Sequence, residues 1–125
     1  MSKFTQTATL IVNAISNVVI TNQFLDDHIE SADVLISTHN GEQYNLPLYW
    51  IGSEGIGALE YWETSKAKSR LIALFEQFIE IEKDSVLDCI NDPSLLDDDP
   101  SLPDNAVKQT RDINRFFTHF DIPLN

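Results

Sequence analysis

The stretch from residue 65 to residue 91 constrains the fold most, because it has the periodicity of one long amphipathic helix. Projected at about 100° per residue, its apolar side chains fall within about half of the helix circumference. They are Leu71, Leu74, Phe75, Phe78, Ile79, Val86, Cys89 and Ile90. Thr64 or Ser65 is a suitable N-cap. The pattern therefore predicts a helix over about 65–91 with one face for a core.

Acidic residues recur at every fourth position on the opposite side of this predicted helix: Glu76, Glu80, Asp84, Asp88 and Asp92. On a helix these five residues, here called the acidic ridge, form one slowly rotating row with steps of about 6 Å. Like charges at this spacing repel by roughly 0.2–0.5 kcal/mol per pair. Acids toward a helix C-terminus also oppose the helix dipole. Folding alone gives no reason for the acidic ridge, so it is a candidate binding surface; the alternative is that its charge serves solubility alone.

Glu82 is an acidic residue that does not lie on the polar side of the predicted helix, since it projects into the middle of the apolar arc. A kink or a helix end near residues 82–85 is the favoured explanation. A buried or interface carboxylate is the alternative.

The N-terminal half of the chain has both helical and strand-like patterns. Residues 6–25 follow the i, i+3, i+4, i+7 spacing of an amphipathic helix, although their many β-branched residues leave a strand pair as the alternative. Residues 34–51 predict a β-hairpin around the strong turn signal Asn40-Gly41. Pro47 cannot donate a ladder hydrogen bond, so its strand is expected at a sheet edge.

Three further segments complete the prediction. A short helix is expected around residues 56–63, and residues 92–103 form an exposed acidic loop with three prolines and the run Asp97, Asp98 and Asp99. Ser101 and Asp104 resemble a capping box that opens a last helix over about 102–120. The fold class is therefore α+β: a mostly helical single domain over residues 1–125, with about three to four helices and one hairpin.

The charge balance excludes several functions. The chain has 20 acidic residues against 8 Lys and Arg, a formal charge of -12. Such a chain repels nucleic acid and anionic membranes and associates quickly with basic proteins. No secretory signal is recognisable, and the cytoplasm is the expected compartment.

Catalytic chemistry is not expected. Cys89 is the only cysteine, on the apolar side of the predicted helix, and His28, His39 and His119 lack the spacing of metal ligands. The chain has no nucleophile elbow and no phosphate-binding glycine loop. We therefore expect no enzyme activity, no metal and no cofactor.

The acidic ridge has one possible internal neutraliser. Lys108, Arg111 and Arg115 form a stripe on the last predicted helix and could form surface ion pairs, each contributing roughly 0–1 kcal/mol. Three bases cannot match five ridge acids plus Asp97 to Asp99, so a surplus of negative charge remains for a partner.

Size and charge favour an inhibitor of a basic protein, foremost an immunity protein for a bacterial nuclease toxin. A nuclease must present positive charge to phosphates, and opposed charge speeds the association that protection needs. One alternative is a phage-type nucleic-acid mimic directed against restriction or another defence protein. Another is a non-catalytic adaptor or oligomeric structural domain that assembles through its hairpin edge or an apolar patch.

Overall fold

A computed structural model describes residues 4–26, 29–49, 51–92 and 104–122. Within these ranges the chain forms four helices and three strands, which confirms the α+β prediction. In chain order they are α1 (Thr5–Ala14), β1 (Ile15–Asp26), β2 (Ile29–Thr38), β3 (Gln43–Leu48), α2 (Gly52–Glu60), α3 (Ser65–Asn91) and α4 (Asp104–His119). No helix in the described ranges has the length and apolar composition needed to cross a bilayer.

The sheet is antiparallel with the strand order β1-β2-β3, and the predicted hairpin corresponds to β2 and β3. In its turn the backbone N–H of Gly41 donates to the Thr38 carbonyl at 3.0 Å. Gly41 has a φ of 90°, a conformation that glycine adopts without a steric cost. Pro47 lies on β3, opposite Asp33 of β2. Strand β3 is an edge strand, as the missing N–H of Pro47 predicted.

The structure corrects the prediction for residues 6–25. The helix is right for α1 but wrong beyond Ala14, where the chain turns into β1. The strand-pair alternative is also wrong, since β1 is one strand and pairs with β2. The β-branched residues Ile15, Val18, Val19 and Ile20 suit a pleated strand, and the ladder to β2 outweighs the helical periodicity.

The remaining helices lie close to their predicted positions. Helix α3 has the predicted bounds, and Thr64 Oγ1 caps it by accepting the Ala67 N–H at 3.3 Å. Helix α2 begins four residues before the predicted 56–63, and α4 begins at Asp104. The predicted capping residue Ser101 and the loop after Asp92 lie outside the described residues.

One hydrophobic cluster joins the helices to the inner face of the sheet. Phe116 of α4 lies at its centre, fully buried, with the rings of Tyr44, Phe75 and Phe78 at centroid distances of 5.3, 6.0 and 5.6 Å. Burial of aromatic side chains at such distances contributes strongly to a core. Strand β3, α3 and α4 are therefore fixed to one another.

Helix α4 also covers the outer edge of β3. The backbone N–H of Asn45 donates to Asp112 Oδ2 at 2.8 Å, and Arg115 donates to the Gln43 carbonyl at 2.7 Å. Gln109 adds a hydrogen bond to the Asn45 side chain at 3.2 Å. Side chains of α4 thus occupy the hydrogen-bonding positions that a fourth strand would take.

Candidate partner-binding surface

The acidic ridge lies on the solvent side of α3, as its spacing predicted. Glu80, Asp84, Asp88 and Asp92 are exposed, and Glu76 is half-buried. The row follows the last four turns of the helix and ends at the C-cap residue Asp92. Asp97, Asp98 and Asp99 lie outside the described residues, so the ridge is described from position 76 to position 92 only.

Most of the described ridge has no nearby cation. Lys83 Nζ lies 3.1 Å from Glu80 Oε2, an ion pair with the i, i+3 spacing of one helix. In the described part of the chain no Lys, Arg or His nitrogen lies within 4.0 Å of a carboxylate oxygen of Glu76, Asp84 or Asp88. These three carboxylates therefore keep their charge available to a partner.

Arg115 of the stripe on α4 does not neutralise the ridge as expected. Arg115 contacts the Glu42 carboxylate at 3.3 Å and the Asp112 carboxylate at 2.8 Å, and its guanidinium lies 4.9 Å from the centre of the Tyr44 ring. Its hydrogen bond to Asp112 raises the pKa of Arg115 above the ordinary value. Internal neutralisation by Arg115 is therefore wrong, because this side chain is bound to β3. Lys108 is exposed and forms no ion pair with the described ridge.

Glu82 is half-buried at the junction of α3 and α4. Helix α3 continues through residues 82–85, so the helix end predicted there is wrong. The side chain borders a cavity of about 270 Å³, shared with Val86 of α3 and with Thr110 and Ile113 of α4. Burial raises the pKa of Glu82. The partly buried carboxylate, which was the alternative interpretation, is what the structure contains.

Two apolar side chains in the last turns of α3 are exposed, Leu87 on the side of the ridge and Ile90 on the flank toward α4. Ile90 has 58% of its surface exposed and Leu87 has 37%. The prediction that Ile90 joins the core is wrong, whereas the other seven residues of that face are buried. On the helical projection Ile90 lies at the margin of the apolar arc, and only Val86 and Cys89 of the last turns are buried. That marginal position was the one sequence signal of its exposure.

A groove of about 790 Å³ adjoins this surface. It reaches from Ile90 on α3 across Arg111 and Asn114 on α4 to Tyr44 and His119 near the hairpin. At its far end Asn40 Nδ2 lies 3.1 Å from His119 Nε2. The groove combines an exposed apolar side chain with polar side chains, and protein interfaces contain both kinds of group.

The described residues bring together no constellation typical of catalysis. No group of three or more His, Cys, Asp or Glu in the described ranges could hold a metal ion. Cys89 is buried, as the helical pattern predicted. His39 lies in the hairpin turn and His119 in the last turn of α4. The chain matches no family model, no curated protein and no solved structure.

Proposed function

We propose that this chain is a small acidic inhibitor that binds a basic protein through the exposed side of α3. The observation that supports the proposal is the composition of this one helix side. It combines carboxylates that no described cation neutralises, those of Glu76, Asp84 and Asp88, with the exposed apolar residue Leu87, and Ile90 is exposed on the adjoining flank beside the groove. Stable interfaces have such apolar anchors within a polar rim.

The charge of this surface favours a basic protein as the partner. Each unneutralised carboxylate attracts the basic groove of another protein at long range, and this attraction raises the association rate. A nuclease has such a groove because it must hold phosphates. We therefore place the chain in the class of immunity proteins that block a bacterial nuclease toxin, acting in the cytoplasm without a cofactor.

A nucleic-acid mimic would use the same surface against a different target. The ridge repeats its charge about every 6 Å along the helix, whereas each strand of duplex DNA has one charge per ~3.4 Å. Because the imitation is coarse and the surface also presents apolar residues, direct binding to a basic protein is the better description.

The experiment begins with capture of partners from the native host, using the wild-type chain as bait. Association of the captured protein is then measured by surface plasmon resonance over a range of salt concentrations. The D84N/D88N variant should associate about an order of magnitude more slowly at low salt, with a weaker salt dependence. The matched control is E60Q/E63Q, which removes the same charge from two exposed positions outside α3.

A second pair of variants tests the apolar anchors. L87A/I90A should mainly accelerate dissociation, since buried contacts act on the off-rate. Equal association rates for D84N/D88N and E60Q/E63Q would show that the ridge provides solubility alone. A captured partner without a basic surface would overturn the proposal.

A further inference from the structure

The two edges of the sheet differ in how their backbone groups are satisfied. Helix α4 closes the β3 edge through Asp112 and Arg115. At the other edge β1 is 12 residues long and pairs only with β2 among the described residues. An open edge of this length is a template for another strand.

The hydrogen bond of the Asn45 N–H shows which way the backbone N–H and C=O groups of β2 point. Because the Asn45 N–H points away from the sheet to Asp112, the backbone groups of the opposite residue Leu35 face β1. The direction of the backbone groups alternates from one residue to the next along a strand, so Asp33 and Ser31 share the direction of Leu35. These two residues therefore direct their N–H and C=O groups toward β1.

The register of β1 then identifies its outward groups. Asn22 lies opposite Asp33 and Phe24 opposite Ser31, so Asn22 and Phe24 bond inward to β2. Gln23 and Leu25 consequently direct their backbone N–H and C=O groups away from the sheet. Within the described part of the chain no hydrogen bond satisfies those groups.

Strand β1 also lacks the charges that usually protect an edge. Asp26 is its only charged residue, and it contains no Lys, Arg or Pro. Val19 and Phe24 are 45% and 48% exposed. The register shift between Ile20 and Asn22 makes 22–26 a separate regular stretch.

We propose that two copies of this chain pair antiparallel through residues 22–26 of β1, with a twofold axis at Phe24. The two three-stranded sheets then form one continuous six-stranded sheet. Gln23 of each copy pairs with Leu25 of the other and exchanges the outward N–H and C=O bonds. Phe24 faces Phe24 in the intervening non-hydrogen-bonded pair, where cross-strand side chains are closest.

The twofold register supports a second copy as the occupant, because the outward groups of Gln23 and Leu25 pair with those of a second copy. Each copy has a formal charge of -12, so two copies repel overall, and a nearly neutral contact adds least to that repulsion. In this register Asp26 lies opposite Asn22, and no two acids face each other. A strand of a basic protein would find only one acid along β1. This pairing is independent of the function proposed for α3.

The test is sedimentation equilibrium of the wild-type chain and two matched variants. F24K places two like charges opposite each other and should weaken dimerisation on the order of tenfold. V19K introduces the same charge on the same strand at similar exposure but outside the contact, and should leave the dissociation constant within about twofold. Added salt should strengthen the dimer by screening repulsion, opposite to its effect on a basic partner.

A disulfide trap gives a second readout that does not depend on charge. In a C89S background, F24C should form an intermolecular disulfide on oxidation, because facing residues of a non-hydrogen-bonded pair have a suitable Cα separation. V19C should remain reduced. Circular dichroism establishes that each variant is folded.

Three outcomes would overturn the proposal. One is a wild-type chain that stays monomeric at the highest attainable concentration, which would leave the edge to a strand of another protein. The second is equal weakening by F24K and V19K. The third is a folded F24C variant that does not cross-link.

Discussion

Asp112 on α4 accepts the backbone N–H of Asn45 on β3 at 2.8 Å, although the two residues are 67 positions apart. The same carboxylate accepts a hydrogen bond from Arg115, which in turn donates to the Gln43 carbonyl. One buried acid thereby closes the β3 edge and directs Arg115 of α4 away from the acidic ridge. The structure thus links the protection of one sheet edge to the charge left on α3.

Removal of the Asp112 carboxylate should destabilise the fold. D112A leaves the Asn45 N–H without its acceptor and removes a partner of Arg115, so the free energy of unfolding should fall by about 1–3 kcal/mol. Urea denaturation measures the change. The control D84A removes an exposed acid that has no described ion pair and should stay within about 0.5 kcal/mol. Equal effects would contradict a structural role for Asp112.

Replacement of Glu82 should increase stability in a pH-dependent way. Burial raises the pKa of Glu82 in the folded state above its ordinary value of 4.5. Ionisation therefore opposes folding: the cost is absent below pH 4.5, grows as the pH rises through the folded-state pKa, and is complete above it. E82Q should raise the urea midpoint at pH 7 and lose this advantage below pH 4.5.

The matched control for E82Q is D84N, which removes the same charge from an exposed position two residues away. It separates relief of burial from relief of general repulsion in an acidic chain. If D84N stabilised the protein as much as E82Q at pH 7, burial of Glu82 would not be the cause.

Two glycines of α2 should respond in opposite directions to substitution by alanine. A Cβ at Gly55 would lie 2.6 Å from the Ile51 Cβ, whereas a Cβ at Gly57 would meet no atom within 4 Å. G55A should cost about 1–3 kcal/mol through overpacking. G57A should stabilise the helix by about 0.5–1 kcal/mol, since alanine has less backbone freedom to lose. Thermal unfolding of both variants measures the two changes in stability. A change of the same sign in both variants would contradict this packing.

Two isoleucines of α3 test the corrected apolar face. Ile79 is fully buried and Ile90 is 58% exposed. I79A should cost about 2–5 kcal/mol, while I90A should change the free energy of unfolding by no more than about 0.5 kcal/mol. Denaturant titration of the two variants decides the matter. A large loss for I90A would place this residue in the core after all.

Local patterns were sufficient for much of the fold and for part of the candidate surface. The long apolar and acidic periodicities of α3 predicted its bounds and the solvent side of Glu80, Asp84 and Asp88. The Asn40-Gly41 turn predicted the hairpin, because few residues adopt the required positive φ without strain. These features depend on residues that are close together in the chain, so they can be predicted from the sequence alone.

Tertiary packing decided the rest. Residues 15–26 form a strand because β2 supplies a hydrogen-bonded ladder, which outweighs the helical spacing of the same residues. Only Val86 and Cys89 are buried in the last turns of α3, which leaves Ile90 exposed. Arg115 contacts β3 because it donates to the Gln43 carbonyl and pairs with Asp112 of α4 and Glu42 of the hairpin turn. The sequence by itself determined the long helix α3, the last helix, the hairpin turn and the acidic charge of the chain. Only the tertiary structure decided which edge is open and which charges remain unpaired, since both depend on residues far apart in the chain.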